Sequence, residues 1–513
     1  MAGYSGRGVR GVECGRGVAT DRRRWRCAMA SETETLKGAL EAAALERDAG
    51  VERLMEWLAM PSVGTDPAHD GDTRRAAEWL RDQFRAVGVE AELRETGRPG
   101  KAGHPVVWAE HGGEEGYDGP HVLFYGHYDV QPADPVELWE SGPFEPVLKE
   151  AEGPGDASKP GERVVARGAC DDKGQVATFL EACRAWHAAH GCVPIRLTLM
   201  IEGEEESGSA NLEKFVEDHA ERLKRCDICV ISDTGMLDRE TPAITAGVRG
   251  ILATEVVLHG PDQDLHSGAF GGRVPNPLNE LVKLLGKLWD ADRRVAIPGF
   301  YDDVEELGEG DRERWRGLGL DMEGSLRKVG LGPEADVGEA GYSALEREWA
   351  RPTAEINGIK GGYIGEGFKT VIPTHALAKV SFRLVAKQSH VRVSELFEAW
   401  LKENAPAGLR VEYRDMGGGF PGNVSSDSPY VQAALRALKA ARPEAEPAII
   451  KTGGSIPIVG LLKERLDLDT LLVGFGLDDD RVHSPNEKFE LACFDLGVRT
   501  HVALMEEWRR FGG

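Results

Sequence analysis

The length, composition and charge of the sequence are those of an ordinary globular protein. The chain has 513 residues, 41% hydrophobic and 29% charged, which is enough for two or three domains with sizeable cores. Its formal net charge of −24 argues against nucleic acid or an anionic membrane as a partner, since both would repel it. No apolar run approaches the roughly 18 residues of a membrane-spanning helix. Eight scattered cysteines indicate a reduced, cytoplasmic protein rather than a disulfide framework.

Residues 1–30 differ in composition from the rest of the chain. Seven arginines stand against Glu13 and Asp21, among many glycines and without the apolar segment of a secretory signal. A transit-like or nucleic-acid-binding tail is one interpretation of such a basic segment. The simpler expectation is a flexible basic extension, with the functional chain starting near Met29.

The next segment of the chain has the periodicity of helices. From Ser31 to Leu58, apolar residues recur at spacings of three, four and seven, and a second amphipathic pattern covers about 72–87. Predicted strands then alternate with helices, one of them over about 174–190. This alternation predicts βαβ units around a largely parallel sheet, and therefore an α/β fold for the first part of the chain, 31–242.

Four predicted strands of this part end in histidine or carboxylate side chains. The strand with the apolar run 122–125 suits burial on both faces, and it ends near His127 and Asp129. The other ends carry carboxylates: Asp171 and Asp172; Glu204, Glu205 and Glu206; and Asp233. In an open α/β sheet the ligand site lies beyond the carboxyl ends of the strands, so these clusters can converge in one crevice. Together with the late His483, they favour a metal site over four unrelated acidic loops.

The pattern changes near residue 245. Four or so strands and two helices over 243–418 lack the buried parallel pattern, which predicts an α+β domain inserted into the first. Its charged stretch at 308–317 is expected to be a solvated surface element. Residues 419–513 are expected to return to the first domain, because His483 has to reach the metal site. Helices are predicted there over 429–441 and from about 496 to 511.

Five short segments carry a resemblance to a known family. They are HYDVQP at 127–132, RGACDDKG at 167–174, EGEEESGS at 202–209, ISDTG at 231–235 and HSPNEK at 483–488. In these segments, and in their order, the sequence resembles the M20 family of metallopeptidases, within it the carnosinase-like and cytosolic nonspecific dipeptidases. The resemblance runs from about residue 40 to the C-terminus. One departure is Cys170, where relatives usually carry a small or aliphatic residue or Thr.

The resemblance implies a dinuclear-metal peptidase domain interrupted by a dimerisation or lid domain, in a homodimer. Asp171 would bridge the two metal ions, His127 and Asp233 would complete one site, and Glu206 with His483 would complete the other. Nitrogen and oxygen ligands without thiolate suit Zn²⁺, and Mn²⁺ or Co²⁺ would also be accepted. The expected cofactors are therefore two divalent ions per subunit, zinc or manganese.

The resemblance also implies the catalytic roles. Glu205 would be the general base that takes a proton from a water between the two metals and passes it to the leaving amine. Asp129 would orient His127. Glu204, the remaining acid of the run, is expected to be solvated or to lie just behind the ligands.

Substrate contacts are expected mainly from the inserted domain. His266 matches a histidine that, in dimeric relatives, enters the partner's active site and stabilises the tetrahedral intermediate; without the resemblance it would be an ordinary loop histidine. Thr370 and Arg383 match substrate-contacting positions, and a guanidinium binds a free carboxylate well. Ser455 in GGSIP could contact the same carboxylate.

The predicted function is metal-dependent hydrolysis of dipeptides or very short peptides. An N-acyl amino acid deacylase of the same family is the alternative, because the shared motifs leave the acyl side of the substrate open. A non-catalytic binding protein on this fold is disfavoured, because neither a ligand nor Glu205 is missing from the sequence.

Overall fold

The structure is a computed structural model, and it describes residues 32–98, 101–150, 162–454 and 456–512. The predicted extension at 1–30 and the predicted contact Ser455 lie outside these residues. Within the described ranges, no helix combines the length and the apolar character needed to cross a membrane.

Helices and strands alternate along the first part of the chain. Its helices are α1 (Glu32–Leu45), α2 (Arg47–Leu58), α3 (Asp70–Ala86), α4 (Lys173–His190), α5 (Leu212–Asp218) and α6 (Ala220–Leu223). Its strands are β1 (Ala91–Arg94), β2 (Gly97–Arg98), β3 (Lys101–Ala102), β4 (Val106–Gly112), β5 (His121–His127), β6 (Val147–Glu150), β7 (Glu162–Val165), β8 (Arg196–Glu202), β9 (Ile228–Ile231) and β10 (Ala243–Val248).

The middle of the chain contributes mostly antiparallel strands and short helices. These are β11 (Gly250–His259), β12 (Leu265–His266), α7 (Ser267–Phe270), α8 (Pro277–Leu285), α9 (Glu309–Gly317), α10 (Met322–Lys328), α11 (Ala344–Ala350), β13 (Thr353–Gly361), β14 (Val371–Ile372), β15 (His375–Leu384), α12 (His390–Glu403) and β16 (Arg410–Gly419). The last elements are β17 (Gly422–Asn423), α13 (Pro429–Ala441), β18 (Ala448–Thr452), α14 (Pro457–Leu466), β19 (Thr470–Leu472), β20 (Lys488–Glu490) and α15 (Leu491–Arg509).

A nine-stranded mixed sheet forms the centre of the fold, and the predicted α/β class is confirmed. The strand order is β1-β4-β8-β5-β9-β19-β10-β17, with β18 also paired to β10. The four central strands, β8, β5, β9 and β19, are parallel, whereas β1, β4 and β17 pair antiparallel with their neighbours. Every residue of β5 is buried, as expected of a parallel strand covered on both faces.

Helices cover both faces of the central sheet because successive strand residues point in opposite directions. On one face, Phe124 packs in a core with Trp57 of α2, Phe179 of α4 and Trp508 of α15. On the other face, Tyr125 belongs to a second core, formed with residues of α5, α6 and α14. Helix α4 ends where Gly191 takes a left-handed conformation with φ +84.

A second, four-stranded antiparallel sheet lies within the predicted insertion. Its order is β13-β15-β11-β16, and it has a separate hydrophobic core with α8 and α12. Buried residues alternate with more exposed ones along β15, so this sheet buries one face. The domain boundaries at 242 and 418 stay predictions; the second sheet itself begins at Gly250 and ends at Gly419.

The charged stretch at 308–317 forms α9, and its environment differs in part from the expectation. Most of its side chains are exposed, but Trp315 is buried against Trp349 of α11 and Ile450 of β18. A single large aromatic residue in a charged helix is enough to attach it to the edge of the central sheet.

Candidate metal centre

The five predicted metal ligands come together at the carboxyl ends of the central strands. His127 ends β5, Glu206 follows β8 and Asp233 follows β9. The register of the parallel strands aligns these ends, since His127 pairs with Glu202 of β8. The other two ligands, Asp171 and His483, arrive on loops beside this edge.

Asp171 does not follow a strand of the central sheet. The prediction that all four clusters lie at strand ends of one open sheet is therefore wrong for Asp171. It lies between β7 and α4, and β7 belongs to a small antiparallel sheet with β6 and β20. The pairing of β7 with β20 brings the loop of Asp171 next to the loop of His483, because β20 begins five residues after His483.

The first group of ligand atoms consists of His127, Asp171 and Asp233. His127 Nε2 lies 3.0 Å from Asp171 Oδ1 and 3.7 Å from Asp233 Oδ2. All three ligand atoms lie within 4.8 Å of one another, which is the spacing of donors around a single cation. His127 is completely buried.

The second group uses the other oxygen of Asp171. His483 Nε2 lies 2.9 Å from Asp171 Oδ2 and 3.2 Å from Glu206 Oε2. This trio also satisfies the 4.8 Å spacing. Asp171 therefore belongs to both groups, with one carboxylate oxygen facing each.

The electrostatics of the site fit divalent cations. Burial, and then the like charge of Asp171, raise the pKa of Asp233 to about 8. The hydrogen bonds of His483 with Asp171 and Glu206 raise the pKa of its imidazole to about 10. Three carboxylates crowded together with little water need positive charge nearby, and a donor set of two imidazoles and three carboxylates suits Zn²⁺ or Mn²⁺.

His127 is held by atoms on both sides of its ring. Nδ1 lies 3.0 Å from the backbone oxygen of Asp129, which favours a proton on Nδ1 and would leave Nε2 free to bind a cation. Its backbone N–H donates to Asp172 Oδ2 at 3.1 Å. Gly126 allows α4 to pack closely against the end of β5, since a Cβ at residue 126 would lie 2.6 Å from Val176 Cγ2.

The carboxylate of Asp129 connects His127 to the glutamate turn. Its Oδ1 accepts the backbone N–H of Glu205 at 3.2 Å, and its Oδ2 accepts that of Glu206 at 3.1 Å. Oδ1 also lies 3.5 Å from His127 Nδ1. Asp129 is completely buried, so water does not compete for these hydrogen bonds.

Glu205 and Glu204 differ in their surroundings. Burial, with added repulsion from Glu206 and Asp171, raises the pKa of Glu205, which favours proton uptake by its carboxylate. Glu204 is 9% exposed, and its Oε1 accepts the backbone N–H of His104 at 3.0 Å and the Nδ2 of Asn211 at 2.9 Å. Of the two environments expected for Glu204, the structure favours the position just behind the ligands, where Glu204 holds the turn.

Glu487 is a site residue that the sequence did not single out. Its buried carboxylate accepts the backbone N–H groups of Gly168, Cys170 and Asp171 at 2.9–3.0 Å. It also forms a buried ion pair with Arg167 at 2.8 Å. Glu487 thus shapes the loop that carries Asp171. Its place in the HSPNEK segment, four residues after His483, was the only available signal.

The predicted substrate contacts lie outside the two ligand groups. His266 is exposed on β12, which pairs with β14, and Thr370 is exposed just before β14. The backbone of Thr370 accepts the N–H of Ser267 at 3.1 Å, so His266 and Thr370 are neighbours. Arg383 is half-buried on β15 and lies close enough to Arg249 to disfavour its charge. The roles of these residues, like those of the metal ligands and of Glu205, stay predictions.

The sequence matches the profile of Peptidase family M20/M25/M40 over residues 123–507. It is 31% identical to the Beta-Ala-His dipeptidase of Homo sapiens over 491 residues, covering 90% of each chain. It is 30% identical to the Cys-Gly metallodipeptidase DUG1 of Candida albicans over 466 residues, covering 88% of this chain and 92% of the relative.

The fold is similar to that of solved members of the family. The crystal structure of human carnosine dipeptidase 1 superposes with a TM-score of 0.70 at 30% identity, covering 93% of this chain and 99% of that one. An M20 family metallo-carboxypeptidase from Sulfolobus solfataricus has a TM-score of 0.72 at 31% identity, with 90% and 99% covered. The predicted resemblance is confirmed: the chain belongs to peptidase family M20/M25/M40 and is an enzyme, a hydrolase of peptide bonds.

Proposed function

We propose that this protein is a dinuclear metallodipeptidase, which hydrolyses dipeptides with a glutamate general base. The observation that carries the proposal is the placement of Asp171, whose two oxygens face two separate ligand groups. Two divalent ions bound there would acidify a water enough for it to attack an amide near neutral pH. Zinc and manganese are the proposed metals, from the donor set.

Residues of this chain would carry out proton transfer, positioning and substrate binding. Glu205 takes the proton of the attacking water and delivers it to the leaving nitrogen; its raised pKa supports this role. Asp129 keeps His127 and Glu205 in register, because its backbone oxygen contacts His127 Nδ1 and its carboxylate accepts the backbone N–H of Glu205. Arg383 binds the free carboxylate of the substrate, as a planar guanidinium does well.

The dipeptide substrate class is supported by the relatives. Two of them are named for the dipeptides Beta-Ala-His and Cys-Gly, and each aligns with most of this chain. Because Arg383 would bind a free carboxylate close to the scissile bond, the substrate would have few residues after that bond.

A homodimer would complete the site. His266 is exposed in this chain, and the adjoining segment 363–368 leaves Ile364 86% and Phe368 92% exposed. Large apolar side chains exposed this fully are typical of protein–protein contacts. We propose that the partner subunit covers them and that each subunit lends His266 to the other, where it stabilises the oxyanion. The proposed location is the cytoplasm.

The deciding experiment is product release from a panel of substrates. The protein is stripped with chelator, reloaded with Zn²⁺ or Mn²⁺, and given dipeptides, tripeptides and N-acetyl or N-succinyl amino acids. Metal-dependent cleavage of dipeptides with little action on the acylated compounds is the expected result. Cleavage of the acylated amino acids instead would make the protein a deacylase with the same metal site. No turnover with metals bound would indicate a non-catalytic binding protein.

A further inference from the structure

A cavity of about 350 Å³ lies between the edge of the central sheet and the segment that contains α9. Its walls come from distant parts of the sequence, among them Arg249, Trp315, Trp349, Asn423 and Lys451. The two tryptophans are buried and meet edge to face at 5.4 Å. The cavity therefore has an aromatic wall, and its lining includes the basic side chains of Arg249 and Lys451.

Lys451 is the basic group nearest the aromatic wall. Its ammonium lies 5.8 Å from the centre of the Trp315 ring, and its stem lies over Gly247, where a Cβ would come within 3.1 Å of Lys451 Cδ. Burial lowers the pKa of this ammonium. Within the described ranges, no carboxylate forms an ion pair with it.

The acids around the cavity are already occupied. Glu305 pairs with Lys387, Asp311 pairs with Arg314, and Glu306 accepts the hydroxyl of Tyr342 at 2.9 Å. Asp311 and Glu305 act on Lys451 only at longer range. Lys451 is thus left with positive charge that no neighbouring carboxylate in the described parts of the chain neutralises.

Arg249 joins the cavity to the proposed carboxylate site. Its Nε donates to the backbone oxygen of Gly453 at 3.1 Å, and its backbone N–H donates to that of Gly454 at 3.0 Å. Burial, and then the like charge of Arg383, lower the pKa of its guanidinium. Arg249 therefore lines the same cavity as Lys451 and also interacts with Arg383 and with the backbone of Gly453 and Gly454.

We propose that this cavity is an anion-binding subsite, which takes the side-chain carboxylate of dipeptides that end in Asp or Glu. The proposal rests on the proposed function, since Arg383 would hold the α-carboxylate of the same residue. A carboxylate entering the cavity meets Arg249 and Lys451, which are already partly desolvated, so little further burial cost is added. An uncharged side chain gains no such contact.

The first test compares Ala-Glu with Ala-Gln on the metal-loaded full-length protein. The wild type is expected to favour Ala-Glu in kcat/KM by about tenfold, as for a hydrogen bond to a charged partner. Lys451→Met should abolish this preference and Lys451→Arg should keep it. Lys287→Met removes an exposed lysine in the turn after α8 and should leave the preference unchanged.

A second variant makes the test independent of Lys451. Asn423→Asp is nearly isosteric and places a carboxylate at the cavity wall, so it should lower the preference for Ala-Glu. An equal rate for Ala-Glu and Ala-Gln in the wild type overturns the proposal. So does a preference that both Lys451→Met and Asn423→Asp leave intact.

Binding of glutarate, measured by isothermal titration calorimetry, separates this proposal from the proposed function. Glutarate carries two carboxylates at the spacing of a glutamate backbone and side chain, and butyrate, with one, is its control. We expect glutarate to bind the wild type and Lys287→Met more tightly than butyrate, and this advantage to disappear in Lys451→Met. If no dipeptide is cleaved, the proposed function fails, but Lys451-dependent glutarate binding still supports the subsite. Equal binding of glutarate and butyrate overturns it.

Discussion

The metal-ligand half of the proposed active site and its substrate-binding half are built very differently. His127 and Asp129 are completely buried, and each is held by several hydrogen bonds. His266 and Thr370 are exposed, and the His266 ring accepts a hydrogen bond from the local N–H of Gly268, two residues away. Apart from His483, whose side chain is 53% exposed, the first half is preorganised within one subunit, as metal binding requires. The second half is expected to be completed by the partner subunit and the substrate.

The largest expected effect comes from removing the base from the preorganised half. Glu205→Gln should lower turnover at least about a hundredfold while both metals stay bound, because Gln keeps the shape but accepts no proton. Metal content by atomic absorption and kcat are the measurements. Glu204→Gln is the matched control, since it makes the same change one residue earlier and should keep most of the activity. Normal turnover in Glu205→Gln would show that another residue is the general base.

The second-largest effect is expected if the partner subunit supplies His266 to the active site. His266→Ala and Glu205→Gln subunits should each be nearly inactive alone. Mixed after dissociation and reassociation, heterodimers would contain one intact site, and random pairing should recover about a quarter of wild-type activity. Recovery is measured as kcat against mixing ratio. If mixing recovers nothing although heterodimers form, His266 does not act across the interface.

A smaller effect is expected from loosening the support of Asp171. Glu487→Gln replaces a carboxylate that accepts three backbone N–H groups and pairs with Arg167, so metal affinity should fall about 10- to 100-fold. Metal titration followed by activity is the measurement, and saturating metal should restore much of the turnover. Glu490→Gln on β20 removes the same charge nearby and serves as control. Equal affinity losses in both variants would indicate general destabilisation.

The smallest effect concerns the stability of the buried core behind the metal centre. His501 is 1% exposed, and burial lowers its pKa to about 3. The unfolded state therefore binds more protons between about pH 6.5 and pH 3, so the stability present above pH 6.5 is lost as the pH falls. Between pH 7 and pH 5 the loss should be about 2 kcal/mol for this residue.

The matching variant is His501→Gln, which keeps a polar group near Ser232 Oγ, 3.0 Å from the imidazole Nε2. Urea unfolding at pH 7 and pH 5, with the same metal content, should show a smaller pH dependence in the variant. Equal pH dependence in both proteins would show that His501 is not the group that titrates.

The accuracy of the sequence predictions depended on how local the underlying signal was. The helix predicted over 429–441 is α13, and the helix predicted over 174–190 is α4, which starts one residue earlier. In both, the apolar periodicity extends over the whole element. The closing helix, predicted from 496, begins at Leu491 because buried residues of its first turns continue directly from β20.

The sequence by itself determined the family and the α/β class, and it predicted the five side chains that the structure brings together as the proposed metal ligands. These depend on short segments, in which a ligand and its neighbours stand within a few positions of each other. Strand periodicity and ligand chemistry can both be read from such segments.

The tertiary structure alone decided which distant residues support one another. Glu487 and Asp171 are 316 positions apart, and they meet because β7 pairs with β20. Arg249 and Lys451 likewise face one cavity because β10 pairs with β18 and α9 packs over that edge. Such contacts depend on strand pairing and packing over long separations, and no local pattern of residue types specifies them.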